Sequence, residues 1–293
     1  MKKAFLSLHA SIFLAGFTGV LGRLITLNEG MLVWWRLFIT SATMAVIYFI
    51  SGSLRKVPQS LHFKIAKAGA FVALHWVFFY GSIKYANVSI GLTCFSSVGF
   101  FSAFFEPIIL KRKLDWIEVL FGSLAIAGIG LIFHFDGQYG VGIILGLISS
   151  IFAAIFPILN KNLVSELPAG DLTFHELTWA LLILTLLMPV YYTYFSDGRY
   201  LPNGADFLWL LVLSWLCTIV AFNLSLQSLK KISPFAVNLS FNLEPVYGII
   251  WAFVIYHENQ YLNSSFYYGV ALILLTVTLQ TIRLYKRRTL NEV

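Results

Sequence analysis

Four ionisable side chains lie inside long apolar runs of this 293-residue sequence: Arg36 in WWRLFI, His75 in ALHWVFF, Glu106 in SAFFEPIIL and Glu244 in NLSFNLEPVYG. Both glutamates are followed directly by a proline, Pro107 and Pro245. A proline ring has no N–H to give to the carbonyl four residues earlier, so that carbonyl is left for a ligand or a water. A carboxyl group beside such a carbonyl can hold an ammonium group or a proton. Away from water an ionisable group is costly unless it is paired or faces a cavity, which makes each of the four a functional candidate.

Neighbouring residues extend these candidates. Around Glu244, Asn238 and Asn242 fall one turn apart, while Ser240 and Tyr247 share the glutamate's side of the helix. One face can line a cavity and the other can bond to adjacent helices, and both uses of these groups remain open. His75 and Trp76 with Tyr80 combine a titratable ring with an aromatic wall, suited either to proton carriage or to packing. Asn223 and Gln227 place two amides one turn apart, and Trp179 is deep enough in its run to reach a cavity. His175 and Glu176, in FHELTW, are expected near the membrane interface. Glu106 shares a face with Ser102, Gly99, Ser96 and Ser89. That small, polar stripe allows close helix packing or lines a polar path, and Glu106 is expected either to ion-pair or to take part in passage of substrate or protons. Pro107 is expected to bend its helix locally.

These residues need elements to hold them, and composition decides which kind. The chain is 59% hydrophobic and 11% charged, with mean hydropathy +0.81, whereas a soluble domain carries roughly 25% charged residues. Runs of about 20 apolar residues cross a bilayer as helices. Ten are expected, over 4–26, 30–51, 66–84, 88–110, 115–134, 139–160, 171–195, 206–229, 234–257 and 264–284. The first is followed by ITLNEG, with no small-residue cleavage site, and reads as a retained helix. In this frame Glu244 and His75 are central, and Arg36 lies about 6 Å to the outer side of its helix's middle, at 1.5 Å per residue.

The formal net charge of +7 is laid out along the membrane. With the N-terminus in the cytoplasm, sixteen Lys and Arg fall on the cytoplasmic side, three (Arg23, Lys84 and Arg199) fall outside, and Arg36 lies within a span. That asymmetry orients the protein with both termini inside. It assigns the basic residues to orientation and membrane lipid rather than to nucleic acid. Cys94 and Cys217 lie in spans without metal-ligand spacing, and no disulfide is expected. No nucleophile–base pair, phosphate loop, paired-carboxylate motif or metal-ligand cluster stands out. The sequence therefore gives no catalytic residue, metal or cofactor to predict, and an enzyme is not expected.

Shifting the chain by 147 residues lays KYANVSIGL…FGSLAI on KISPFAVNL…YGVALI without a gap, pairing Lys84 with Lys231, Leu92 with Leu239, Phe104 with Trp251 and Gly122 with Gly269. Five helices per repeat is an odd number, so the second half enters from the opposite face, the pattern of inverted-repeat carriers. The expected units are 1–136 and 137–293 within one integral domain. The fold class is thus an all-α polytopic membrane protein of ten transmembrane helices in two inverted five-helix repeats.

With Arg36 in WWRLFI, LHWVFFYGSIKYANVSIGL (74–92), EPIILKRKLDWIEVLFGSLAIAGIGLI (106–132) and NLEPVYGIIWAFVIYHE (242–258), nearly the whole chain resembles the EamA-type permeases of the drug/metabolite transporter superfamily. The last stretch has the family's proline and, thirteen residues later, its glutamate, here Pro245 and Glu258. In the first repeat Lys111 stands where the glutamate matching Glu258 is expected. The resemblance implies a secondary transporter of a small metabolite in the cytoplasmic (inner) membrane, working by alternating access. The leading reading is export of an amino acid or related compound. Uptake of a vitamin or nucleoside-like molecule and a membrane-embedded lipid-modifying enzyme are the alternatives. Glu244, Asn238, Asn242, His75, Trp76, Tyr80, Asn223 and Trp179 are the expected substrate-binding residues. Arg36, Glu106 and Tyr247 are the expected coupling or gating residues, with protons as a candidate coupling ion. Substrate identity, direction and oligomeric state lie beyond the sequence.

Overall fold

A peptide group in lipid has no water to bond to, so an apolar run must satisfy its backbone within itself. The computed structural model describes residues 2–134, 139–195, 198–241 and 243–291, and every regular element among them is a helix. In order these are α1 (Lys2–Leu24), α2 (Glu29–Ser51), α3 (Gln59–Tyr85), α4 (Val88–Phe95), α5 (Val98–Leu110), α6 (Trp116–His134), α7 (Gly140–Glu166), α8 (Ala169–Phe195), α9 (Gly204–Ser214), a π-helical turn (Trp215–Val220), α10 (Ala221–Leu229), α11 (Pro234–Phe241), α12 (Glu244–Tyr256) and α13 (Ser264–Asn291). A single 3₁₀ turn, Glu258–Gln260, follows α12.

Among the described residues, six helical stretches are long and apolar enough to cross a membrane: Lys3–Leu24, Glu29–Ser51, Val88–Leu110, Gly140–Glu166, Ala169–Phe195 and Gly204–Leu229. Trp116–Gly128, Glu244–Tyr256 and Ser264–Thr276 are shorter apolar helices. The helix expected over 66–84 begins two turns earlier, at Gln59, because Leu61 and Ile65 are buried against Leu163, Leu172 and Leu229. Turn residues set several starts. Asn28 accepts from the Met31 N–H and Asn87 from the Ile90 N–H, while Asn203 and Asp206 form a reciprocal cap for α9. Such caps contribute about 1 kcal/mol each.

Contacts are exchanged between the two halves. α3 packs on α7 and α8, while α1 packs on α10 and α2 on α8 and α9. α4 and α5 meet α7 from one side as α12 meets α1 from the other, and α6 lies along α13. Small residues let the backbones approach. At Gly16 a Cβ would come within 2.7 Å of Tyr247 Cβ, and at Gly69 within 2.5 Å of the Glu176 carbonyl oxygen, so only glycine fits either crossing.

Three stretches are not continuous α-helix. α4 gives way to α5 at Ser96–Ser97, α11 to α12 beyond Phe241, and α9 to α10 through the π turn. At Pro107 the helix is not interrupted: α5 runs through that proline to a left-handed cap at Lys111, and the interruption of the stretch lies upstream, at Ser96–Ser97. There the Cys94 carbonyl takes the Ser97 N–H at 3.0 Å, in place of a donor four residues on, together with Ser97 Oγ at 2.8 Å and Ser150 Oγ at 3.0 Å.

Candidate functional site

Arg36 lies mid-way along α2 and is 2% exposed. Its Nε donates to Thr218 Oγ1 at 2.7 Å, Nη1 to the Tyr80 hydroxyl at 2.9 Å and Nη2 to the Cys217 carbonyl at 3.2 Å. The guanidinium carbon stands 3.6 Å from the Trp76 ring centre, a cation–π contact. The π turn makes this cradle possible. A wider helical turn leaves backbone groups outside the i to i−4 ladder, a frequent property of functional sites. Here Thr218 Oγ1 donates five residues back, to the Leu213 carbonyl at 2.8 Å, and accepts from Arg36. Every one of these partners is neutral, and among the described residues no carboxylate lies within ion-pair distance of Arg36.

Glu244 is the first residue of α12 and is 5% exposed. It sits there because Pro245 ends the α11 ladder. Leu243 N–H falls back on the Ser240 carbonyl at 3.0 Å, and Val246 N–H restarts the helix from Leu243. The Thr18 hydroxyl of α1 is within hydrogen-bonding reach of the carboxyl, and Arg36 is near enough for the two charges to attract. Asn238, one helical segment earlier, donates from Nδ2 to Ser102 Oγ at 3.1 Å and to the Ala154 carbonyl at 3.2 Å, tying α11 to α5 and α7.

His75 is held by α7. Ser149 Oγ donates to the His75 carbonyl at 3.0 Å, so its hydrogen is committed, and it stands 2.8 Å from His75 Nδ1. Nδ1 must then be the donor, toward Ser149 Oγ and the Ser149 carbonyl at 3.2 Å. The neutral ring keeps Nε2 as an acceptor. Phe95 and Phe156 stack on its faces with centroids at 5.4 and 6.1 Å.

One cavity joins these groups. Ser11, Ala15 and Thr18 of α1, Arg36, His75, Trp76 and Phe79 line it from the first half. From the second half come Phe156, Cys217, Phe222, Ser225, Asn238, Phe241 and Glu244, with Phe95 of α4 completing the wall. The space open to the centre of a water-sized sphere is about 80 Å³. That is room for several waters or a small polar molecule, and less than a drug-sized pocket offers. A guanidinium and a carboxyl group lining one cavity, with aromatic rings among the other lining residues, suit a small molecule bearing both charges.

Of the residues singled out in the sequence, Arg36, His75, Trp76, Asn238 and Glu244 come together at this cavity. Tyr80 stands behind Arg36, as its hydrogen-bond partner. Tyr247 packs edge-on against Phe13 at 5.5 Å. Trp179 faces His62 at 6.2 Å in the lower core. Asn223 accepts from Gln227 Nε2 at 2.8 Å on a partly exposed surface. Glu106 is buried outside the cavity and accepts from Arg112 Nη1 at 3.1 Å. Asn242 lies outside the described residues. Glu176, expected near the membrane interface, is wholly buried within the protein, both carboxyl oxygens meeting Asn160 Nδ2 at 2.9 and 3.0 Å. Thr18, Thr218 and the Cys217 carbonyl were not singled out, since hydroxyls and backbone carbonyls give no signal in an apolar run. Glu258 is also buried. It accepts from Ser89 N at 2.9 Å and Val88 N at 3.2 Å at the start of α4, and pairs with Arg23.

Comparison with known proteins agrees with this architecture. The model of the EamA-like transporter family matches residues 2–134 and again 140–282. A Synechocystis protein described as an uncharacterized transporter is 22% identical over 188 residues, 59% of this chain and 52% of its own length. The chain thus spans about half the length of that curated relative. One solved crystal structure superposes with TM-score 0.70 at 16% identity, covering 99% of both chains, a likeness of fold.

Proposed function

The chain belongs to the EamA-like transporter family, and from that premise we propose that it is a secondary carrier exporting an amino acid or a related small zwitterion by alternating access. The observation that carries this reading is the cavity between the halves, whose lining includes both Arg36, held by neutral partners, and Glu244. In this reading Arg36 binds the substrate's anionic group, Glu244 its ammonium group, and Trp76, Phe95, Phe156 and Phe222 enclose its side chain. A guanidinium with its position already set loses little entropy on binding a carboxylate. When the cavity is empty, Glu244 can hold a proton instead, which would make the carrier proton-coupled.

The topology proposed with it is ten spans in two inverted five-helix repeats, 1–136 and 137–293, in the cytoplasmic membrane with both termini inside. The exchanged packing of α3 on α7 and α1 on α10 supports it, as does the basic character of Lys111, Arg112, Lys113, Lys230 and Lys231 at one end.

Metabolite profiling of cells with and without the gene, followed by counterflow of the compounds that change in proteoliposomes, tests the proposal. Saturable counterflow of an amino acid, competed by its zwitterionic analogues and not by its decarboxylated or deaminated forms, is the expected result. Equal competition by both truncated forms would remove Arg36 and Glu244 as the two recognition points.

A further inference from the structure

Outside the cavity, α7 and α8 bury a second carboxyl group. Glu176 and Asn160 are both 0% exposed. The two oxygens of Glu176 share one donor, Asn160 Nδ2, at 3.0 and 2.9 Å. An ionised carboxylate offers about four acceptor positions, and among the described residues no cation stands within ion-pair distance of this one. Asn160 Oδ1 is buried with no hydrogen-bond partner. The group therefore lacks a counter-charge and its neighbour lacks a donor. One proton on Glu176 removes the uncompensated charge and adds an O–H donor beside an amide whose Oδ1 has no partner. Burying a charge without a partner costs far more than burying a hydrogen-bonded neutral acid.

Charged and titratable groups on the surrounding helices are engaged elsewhere or exposed. Lys161 of α7 donates to the Leu229 and Ile232 carbonyls. On α3, His62 stands edge-on to His175 of α8, and Lys64 and Lys67 are exposed. Tyr48 of α2 bonds to Asp171 of α8, and α10 faces this end of α8 with the neutral Asn223, beside Gly170.

We propose that Glu176 is a proton-binding site of this protein, distinct from Glu244, and that its proton holds the seam between α3, α7 and α8 closed. At Gly69, α3 touches α8 backbone to backbone, against the Glu176 carbonyl itself. Farther along the same helices stand the cavity's His75 and Trp76 on α3 and Phe156 and Pro157 on α7. Release of the proton to cytoplasmic water leaves a carboxylate that needs hydration. Water can reach it only if α3 or α7 parts from α8. Proton loss and opening of this seam are then one event. The site itself is independent of the transport reading; its use in a transport cycle rests on that reading.

Infrared spectroscopy of the purified full-length protein in lipid vesicles tests the site with no substrate present. The expected result is a carboxylic-acid C=O absorption at neutral pH of which one component is lost in Glu176→Gln and kept in Glu244→Gln. Asn160→Ala should shift that component upward, because the acid loses its amide partner; this holds the test open if Glu176→Gln fails to fold. An unchanged spectrum in both the Glu176 and Asn160 variants overturns the proposal. For the seam, alkylation of Leu172→Cys, a buried position of α8 packed with Ile65 of α3 and Leu163 of α7, by a soluble maleimide should rise at least about fivefold from acidic to alkaline pH beyond the reagent's own pH dependence, and that rise should vanish with Glu176→Gln. A rise that survives the substitution would leave Glu176 without the closing role.

Discussion

The helix of α4–α5 and the helix of α11–α12 occupy matching places in the two halves and break at matching places, yet only one break carries a charge. By the 147-residue shift, Glu244 stands opposite Ser97. Each second segment ends in a left-handed residue, Lys111 and His257. These are 146 residues apart, so the caps slip by one against the sequence register, and Arg112 rather than Lys111 follows its cap as Glu258 follows His257. In the first break the serines turn inward: Ser97 bonds to Cys94 of its own helix, and Ser150 of α7 closes the same carbonyl. In the second, Pro245 removes a donor and Glu244 opens on the cavity. The same backbone device thus serves packing in one half and presents a carboxyl group in the other. Symmetry of fold does not carry symmetry of chemistry.

The largest effect expected from breaking this difference is at Glu244. Glu244→Gln should keep the folded protein and lower transport at least about tenfold, roughly 1.4 kcal/mol on the controlling barrier, measured as initial flux in proteoliposomes. In a proton-coupled carrier, the remaining flux should also lose its pH dependence. Wild-type flux would move the search to His75 and Arg36. Adding Ser97→Glu to Glu244→Ser sharpens the point. The carboxyl group is restored to the molecule but to a break that faces α7, so the double variant should stay as inactive as Glu244→Ser alone. Recovery of flux would show the two breaks to be interchangeable.

Arg36→Lys comes next. An ammonium cannot serve Thr218, Tyr80 and Cys217 with a planar fork, so substrate affinity should fall about fivefold, about 1 kcal/mol by the same conversion, while maximal flux changes less. Glu106, in the first repeat, should be milder still. Glu106→Gln keeps its contact with Arg112 and should retain flux within about twofold, whereas Glu106→Leu should reduce the amount of folded protein by fluorescence-detected size exclusion. Loss of flux in Glu106→Gln at unchanged abundance would make that glutamate part of the mechanism. The smallest change should follow Ser97→Ala, because Ser150 still donates to the Cys94 carbonyl; a melting temperature within a few degrees of wild type is expected, consistent with a net hydrogen bond of about 1 kcal/mol.

Much of the second break was readable in advance. Glu244–Pro245 combines a costly side chain with a missing donor, and both are properties of residue type. The first break was not. Pro107 carries the same local signal, yet α5 passes through it, while the serines that mark the true break look like ordinary small residues of a packing stripe. The burial of Glu176 was hidden too. FHELTW begins close to a loop and reads as interfacial, and nothing in it shows that α3 and α7 close over the glutamate at Gly69 and Asn160, residues distant in sequence. The cradle of Arg36 was equally hidden, because a π turn in WLCTIV has no compositional mark and its contribution is a backbone carbonyl.

Residue type alone determined that this chain is helical and membrane-spanning, and that Arg36, His75 and Glu244 stand in places where a charge is costly. Those conclusions depend on solvent and on covalent structure, which act on each segment separately. Tertiary structure decided which of the polar groups meet. Arg36 and Glu244 share a cavity, Glu106 is turned to Arg112, and Glu176 is sealed against Asn160. A helix offers every side chain a direction, but only the neighbours packed around it decide whether that direction holds water, a partner or a ligand.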